Sequence, residues 1–138
     1  MQYISTRGEA QAVGFLDAVL AGLAPDGGLF VPKDWPAFTT DELAAFANKP
    51  YAEVATEVLA KFAGPAIPKD ALAEMCADAY GTFSHPAVTP LKQLYPGIFL
   101  LELFHGPTLA FKDVAMQILA RLYDYILSRQ DQIGRAHV

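Results

Sequence analysis

A single cysteine, Cys76, rules out a disulfide framework and any cysteine-based metal site within the chain. No metal is expected. Apolar runs are short, and none approaches the roughly 18 to 20 uninterrupted residues that cross a bilayer. A membrane is therefore not an expected partner. The 10 basic residues are scattered rather than gathered in a stripe, against 15 acidic ones and a formal charge of −5. A phosphate backbone finds no matching surface, so nucleic acid is not an expected partner either. A small anion is a different case, because local N–H groups bind it against the net charge. The opening MQYISTRGEAQAVGF lacks a basic segment followed by a long apolar one. It reads as no secretory signal, and the cytoplasm is the expected location. Repeats and low-complexity tracts are also lacking.

What is present describes a folded globular chain. Of 138 residues, 53% are hydrophobic and 18% charged, enough for one modest core or one small domain plus part of another. Tyr3-Ile4-Ser5-Thr6 reads as a short strand. Pro25-Asp26-Gly27-Gly28 is turn chemistry, and Leu29-Phe30-Val31 is a strand that stops at Pro32. Phe15, Val19, Leu20 and Leu23 share one face of a helix over Phe15 to Leu23. Thr39 and Glu42 have the spacing of a capping box. A helix that tolerates Pro50 in its first turn carries Val54, Val58, Leu59 and Phe62, and ends at Gly64-Pro65. The next carries Leu72, Met75, Cys76, Ala79 and Tyr80 and stops at Gly81. In that stripe Cys76 reads as a small buried apolar residue rather than a nucleophile.

SHPAVTPLKQLYPG, with three prolines, reads as a loop, and a domain boundary is placed near Pro96-Gly97. Ile98 to Phe104 is an apolar run of strand length, buried on both faces by its pattern. The last helix, from about Asp113 to Arg129, turns Ala115, Ile118, Leu119, Leu122 and Ile126 inward. A buried strand, a turn and an amphipathic helix are the opening of an α/β unit.

The turn between them holds one lysine, in LELFHGPTLAFKDVAMQ. Ligands of open α/β folds sit at strand carboxyl ends beside helix N-termini, where Lys112 falls. The helix dipole and the apolar neighbours Ala110, Phe111 and Val114 both disfavour an ammonium there. A neutral amine is the nucleophile for a Schiff base with an aldehyde. The same residues also read as a surface lysine at a helix start. Asp113 suits the positive end of the helix. Thr108 either hydrogen-bonds a ligand phosphate or stabilises the turn. His85 carries no signal.

YISTRGE, APDGGLFVP and LELFHGPTLAFKDVAMQ occur together, in this order. With them the chain resembles threonine synthases from residue 1 to about 131. The third stretch resembles the block that holds the family's pyridoxal-phosphate lysine, which makes Lys112 that lysine rather than a surface charge. The resemblance implies an α/β protein. Residues 1–95 would form a small, mostly helical N-terminal domain with a short hairpin-like sheet. Residues 96–131 would begin a fold-type II pyridoxal-phosphate domain. The implied reaction turns O-phospho-L-homoserine and water into L-threonine and phosphate, with pyridoxal 5′-phosphate as cofactor. Lys112 would be catalytic: it forms the Schiff base, then moves protons at Cα and Cβ while phosphate leaves Cγ. Phe111 and Thr108 are implied cofactor contacts, with core filling the competing reading of Phe111. Thr6, Arg7 and His105 are implied substrate contacts, with a structural or solvent-facing loop histidine the competing reading of His105, and Ser5 lies beside them. A guanidinium suits a carboxylate or phosphate, although a surface ion pair is the competing reading of Arg7.

Two other readings stand beside this one. The chain is part of a threonine synthase-like phospho-lyase or another fold-type II enzyme with a different substrate, or its first 95 residues serve only packing and interaction. The tail departs from the family pattern. Ile133 to Val138 back-translate as ATC GGA AGA GCA CAC GTC, which coincides with a widely used sequencing adapter. Residues 132–138 are therefore expected to be non-native. The family's glycine-rich phosphate loop lies beyond the chain, so the polypeptide as written is expected to bind the cofactor poorly and to make no threonine.

Overall fold

The computed structural model describes the backbone of residues 1–136 and the side chains of residues 1–129. The expectation of a non-native tail at 132–138 lies outside the described side chains. Three short strands open the chain: β1 (Gln2–Ser5), β2 (Val13–Gly14) and β3 (Phe30–Pro32). They form an antiparallel sheet in the order β2-β1-β3, with Tyr3 opposite both Val13 and Pro32. Alternation along β1 turns Tyr3 and Ser5 inward. The Tyr3 ring packs on Phe15, and its hydroxyl donates to the Phe62 carbonyl at 2.8 Å. That bond ties the sheet to the helices.

The helices are α1 (Phe15–Ala21), α2 (Thr40–Ala44), α3 (Tyr51–Ala63), α4 (Lys69–Tyr80) and α5 (Asp113–Ala136). The capping box forms as expected: Thr39 Oγ1 accepts from Glu42 N, and Glu42 Oε2 accepts from Thr39 N. Helix α1 ends at Gly22, which takes φ 69° and leaves Leu23 beyond it exposed. The core lies where α4 packs on α3 and α5 packs on α4 and α1. Leu72 and Cys76 are fully buried there, with Met75 and Ala79 on the same stripe. Along α3 the expected face, Val54, Val58, Leu59 and Phe62, is only half-buried.

Helix α5 buries Ile118, Leu122 and Ile126, a seam of i+4 steps. Ala115 is exposed, contrary to expectation, because the seam that α1 and α4 cover begins only at Ile118. Three bonds reinforce the docking: Tyr123 Oη to the Val19 carbonyl, Tyr80 Oη to the Val114 carbonyl and Arg121 Nη2 to the Asp78 carbonyl.

The segment read as a loop contains a strand. Leu91–Tyr95 (β4) pairs antiparallel with Ile98–Leu101 (β5), and the two form a separate two-stranded sheet. The flanking prolines, Pro90 and Pro96, gave this stretch its loop-like composition, but they stand outside the paired residues. Pro96-Gly97 forms the tip of that hairpin, with Gly97 at φ 77°. The boundary expected there falls at this tip, between two bonded strands. Nor is β5 buried: Ile98, Phe99, Leu100 and Leu101 are exposed, as are Leu91 and Leu94 of β4, because among the described residues no helix or further strand packs on the hairpin's faces.

Candidate functional site

Two loops carry the residues singled out by sequence. In the first, Asp26 is the hub. Its Oδ1 accepts from Ser5 Oγ at 2.7 Å and Gly28 N at 2.9 Å. Its Oδ2 accepts from the backbone N–H groups of Glu9 and Ala10. The hydrogen bond from Ser5, then that from Gly28, holds the Asp26 carboxyl below the usual carboxylate range. Ser5 is buried, and the close approach of its hydroxyl to Gly28 leaves no room for a β-carbon there. Arg7 Nη1 donates to the Asp26 carbonyl at 2.9 Å, and Leu29 N donates to Thr6 Oγ1. The ISTRGE and PDGG stretches are therefore one knot.

The second loop runs from the end of β5 to α5. Leu109 N donates to the Gly106 carbonyl, closing a turn with Leu109 at φ 63°, where a branched side chain is uncommon. Asp113, only 3% exposed, reaches back across this turn. Its Oδ2 accepts from Thr108 N at 2.8 Å, and Thr108 Oγ1 lies 2.9 Å from both carboxylate oxygens. Gln117 Nε2 lies at 3.5 Å. Burial pushes the Asp113 carboxyl up, but the hydrogen bonds, led by those from Thr108, outweigh it and leave the group below its ordinary value. The Thr108 hydroxyl, open between ligand and turn by sequence, is engaged in the turn.

Lys112 sits on top of this loop. It is exposed, as are Ala110 and Phe111, while Val114 is half-buried. The dry surroundings expected for the amine are not formed by these neighbours within the chain, because the loop turns them outward. Among the described residues no hydrogen bond or ion pair engages the Lys112 ammonium; the ion pairs present are Lys61–Glu42, Lys69–Glu57 and His105–Glu102. The Lys112 carbonyl accepts from Ala115 N and Met116 N, so the residue ends the loop and starts the helix.

His105 is less free than expected. Its Nε2 lies 2.7 Å from Glu102 Oε2, and its ring packs at a tilt against both Phe104 and His85. His85 in turn edges a cleft of about 400 Å³ with Tyr51, Tyr80, Phe83 and Val88. Lys112 does not line that cleft. Among the described residues, no hydrogen bond joins the Arg7 knot to the Lys112 loop. Sequence reasoning missed Asp26 and Glu102 as partners. A carboxylate two residues before Gly28 was the available signal for Asp26; for Glu102, the three-residue spacing to His105 was the only one.

A family profile described as the threonine synthase N terminus matches residues 2–80, which include the whole Asp26 knot. The chain belongs to the threonine synthase family. It is 48% identical to the threonine synthase of Pseudomonas aeruginosa over 132 residues, which are 96% of this chain and 28% of that protein. Against the Schizosaccharomyces pombe threonine synthase the identity is 44%, over 95% of this chain and 26% of the relative. A crystal structure of PLP-bound threonine synthase from Brucella melitensis superposes with a TM-score of 0.91 at 56% identity, over 95% of this chain and 28% of that one. The threonine synthase likeness thus extends past the profile, through the Lys112 loop and into α5. The chain spans a little over a quarter of the length of these relatives. No described helix is long and apolar enough to cross a membrane.

Proposed function

We propose that this chain is the N-terminal part of a cytoplasmic, fold-type II enzyme that converts O-phospho-L-homoserine and water into L-threonine and phosphate, with pyridoxal 5′-phosphate held at Lys112. One observation carries the reading. Lys112 presents an ammonium with no described partner at the start of α5, in a chain 56% identical to a PLP-bound threonine synthase. An aldehyde cofactor needs an amine without a counter-ion and apolar surface beside it. Phe111 and Leu109, both exposed, supply that surface. These residues fit the lysine end of the cofactor.

Lys112 would hold the group through its amine, Phe111 would lie against it, and Thr108 would shape the loop beneath. The bound cofactor supplies an electron sink for charge developing at the substrate's Cα and Cβ. Lys112 Nζ would take a proton at one of these carbons and return one at the other, acting as general base and then general acid. The exposed faces of β4 and β5, with Phe104 and Met116, become the surface on which the rest of the cofactor domain closes and excludes water from the amine. Arg7 keeps Nη2 unpartnered among the described residues and suits the substrate's carboxylate or phosphate. Thr6 and His105 are the lesser candidates for substrate contact, since both already have partners.

The test is borohydride reduction of the complete protein with pyridoxal phosphate, followed by peptide mapping and a product assay. The label should fall on Lys112, and Lys112→Ala should lose both label and threonine formation. Label on another lysine, or threonine made by Lys112→Ala, overturns the reading. Phosphate released without threonine points instead to a phospho-lyase with a different product.

A further inference from the structure

We propose that Asp113 is a positioning residue for Lys112, acting through a clasp on Thr108 that fixes the loop from Gly106 to Asp113 and keeps the carboxylate off the neighbouring amine. The inference rests on the reading of Lys112 given above.

A carboxylate next to a lysine ordinarily has two uses, an ion pair or a helix cap, and Asp113 serves neither. The backbone N–H groups of Val114, Ala115 and Met116 go to the carbonyls of Phe111 and Lys112, so the carboxylate caps nothing. Its described bonds run to Thr108 N, Thr108 Oγ1 and Gln117 Nε2. Consecutive residues at a helix start point apart, so Asp113 lies beneath the loop while Lys112 lies above it. Gly106 shows how closely the loop is built around this group, since its missing side chain leaves the space that Asp113 fills. The left-handed Leu109 lies between the two clasped ends.

Two consequences follow for the amine. The loop holds one shape, so Lys112 starts from one direction. The adjacent carboxylate is engaged by Thr108 instead, so it does not pair with the ammonium and stabilise it. A carboxylate drawn toward Lys112 would do the reverse.

The experiment uses the complete protein freed of cofactor. The rate at which pyridoxal phosphate becomes reducible onto the Lys112 peptide is measured for wild type, Thr108→Val, Thr108→Ser and Asp113→Asn, together with each thermal midpoint and the separate kcat and KM. Thr108→Val removes the hydroxyl without changing side-chain shape. It should slow labelling by about 10- to 100-fold, the scale expected when a reacting group is misplaced by about an ångström. The loss should fall on kcat rather than KM. Thr108→Ser restores the hydroxyl and should recover most of the rate. Asp113→Asn sets an amide against Thr108 and should resemble Thr108→Val; if it fails to fold, the two threonine variants decide. Folded Thr108→Val that labels within about twofold of wild type overturns the clasp but leaves Lys112 as the cofactor lysine. Wild type that never labels at Lys112 overturns both.

Discussion

Replacing Gly106 by alanine should destabilise the chain for a reason visible in one contact. The ideal β-carbon would lie 2.7 Å from Asp113 Cγ and closer still to its Cβ and Oδ2. Carbon atoms rest at about 3.5–4.0 Å, so about 1 Å of movement is needed. Gly106 does not take a positive φ, so backbone strain adds nothing. Asp113 cannot swing aside without releasing Thr108, and it is not the far end of a flexible side chain. Overpacking of this kind costs about 1–3 kcal/mol. For a chain of this size that lowers the thermal midpoint by about 3–15 °C. Far-UV circular dichroism on heating measures it. Gly97→Ala is the control: at φ 77° with nothing within 4 Å, it meets strain but no clash, and should cost about 1 kcal/mol. Pairing Gly106→Ala with Asp113→Gly removes the obstructing atoms, so the cost of the alanine should nearly vanish in that background. A cost that persists undiminished there refutes the argument.

Other predictions concern the core and the titrating groups. Leu72→Ala, at a fully buried position on α4, should cost about 2–5 kcal/mol in urea unfolding; a loss under 1 kcal/mol would mean that this site is not the core. Asp26 and Asp113 both have carboxyls held below their ordinary values when folded. Their contribution is full above the unfolded value of about 4 and disappears as pH falls through the lower folded values. Stability should therefore drop on acidification below about pH 4, and Asp26→Asn should flatten that slope; an unchanged slope contradicts the assignment. Burial pushes the Cys76 thiol up. It should resist a thiol reagent in the native chain and react at the global unfolding rate, and fast native labelling would refute its burial.

What was legible in the sequence was whatever short-range chemistry decides. The stripe from Leu72 to Tyr80, the Thr39–Glu42 box and the turn before β3 follow from spacing within one or two turns of chain, and each forms. Long-range partners were not legible. Nothing in PLKQLYPG says that Leu91–Tyr95 pairs with β5, because the prolines that suggest a loop lie just outside the ladder. The Lys112 loop divides in the same way. Its place before a helix was readable from the pattern, whereas the turning of Asp113 back onto Thr108 depends on a left-handed Leu109 that no propensity favours. The dry surroundings expected from apolar neighbours are not formed within the chain for a related reason. Apolar residues next to each other in sequence exclude water only when something covers them.

Helix α5 makes the N-terminal helices the mount for a distant amine. Its seam at Ile118, Leu122 and Ile126 is gripped by α1 and α4, while its first residues carry Lys112. Leu122 lies ten positions beyond Lys112, about 15 Å along the axis. A tilt of about 5° at that grip would swing the start of the helix by more than 1 Å. Reactive constellations tolerate about 0.5 Å. On the proposed reading of Lys112, its aiming would be set in a core several turns away, and small losses of packing beneath Leu122 should register at the amine before they register as unfolding.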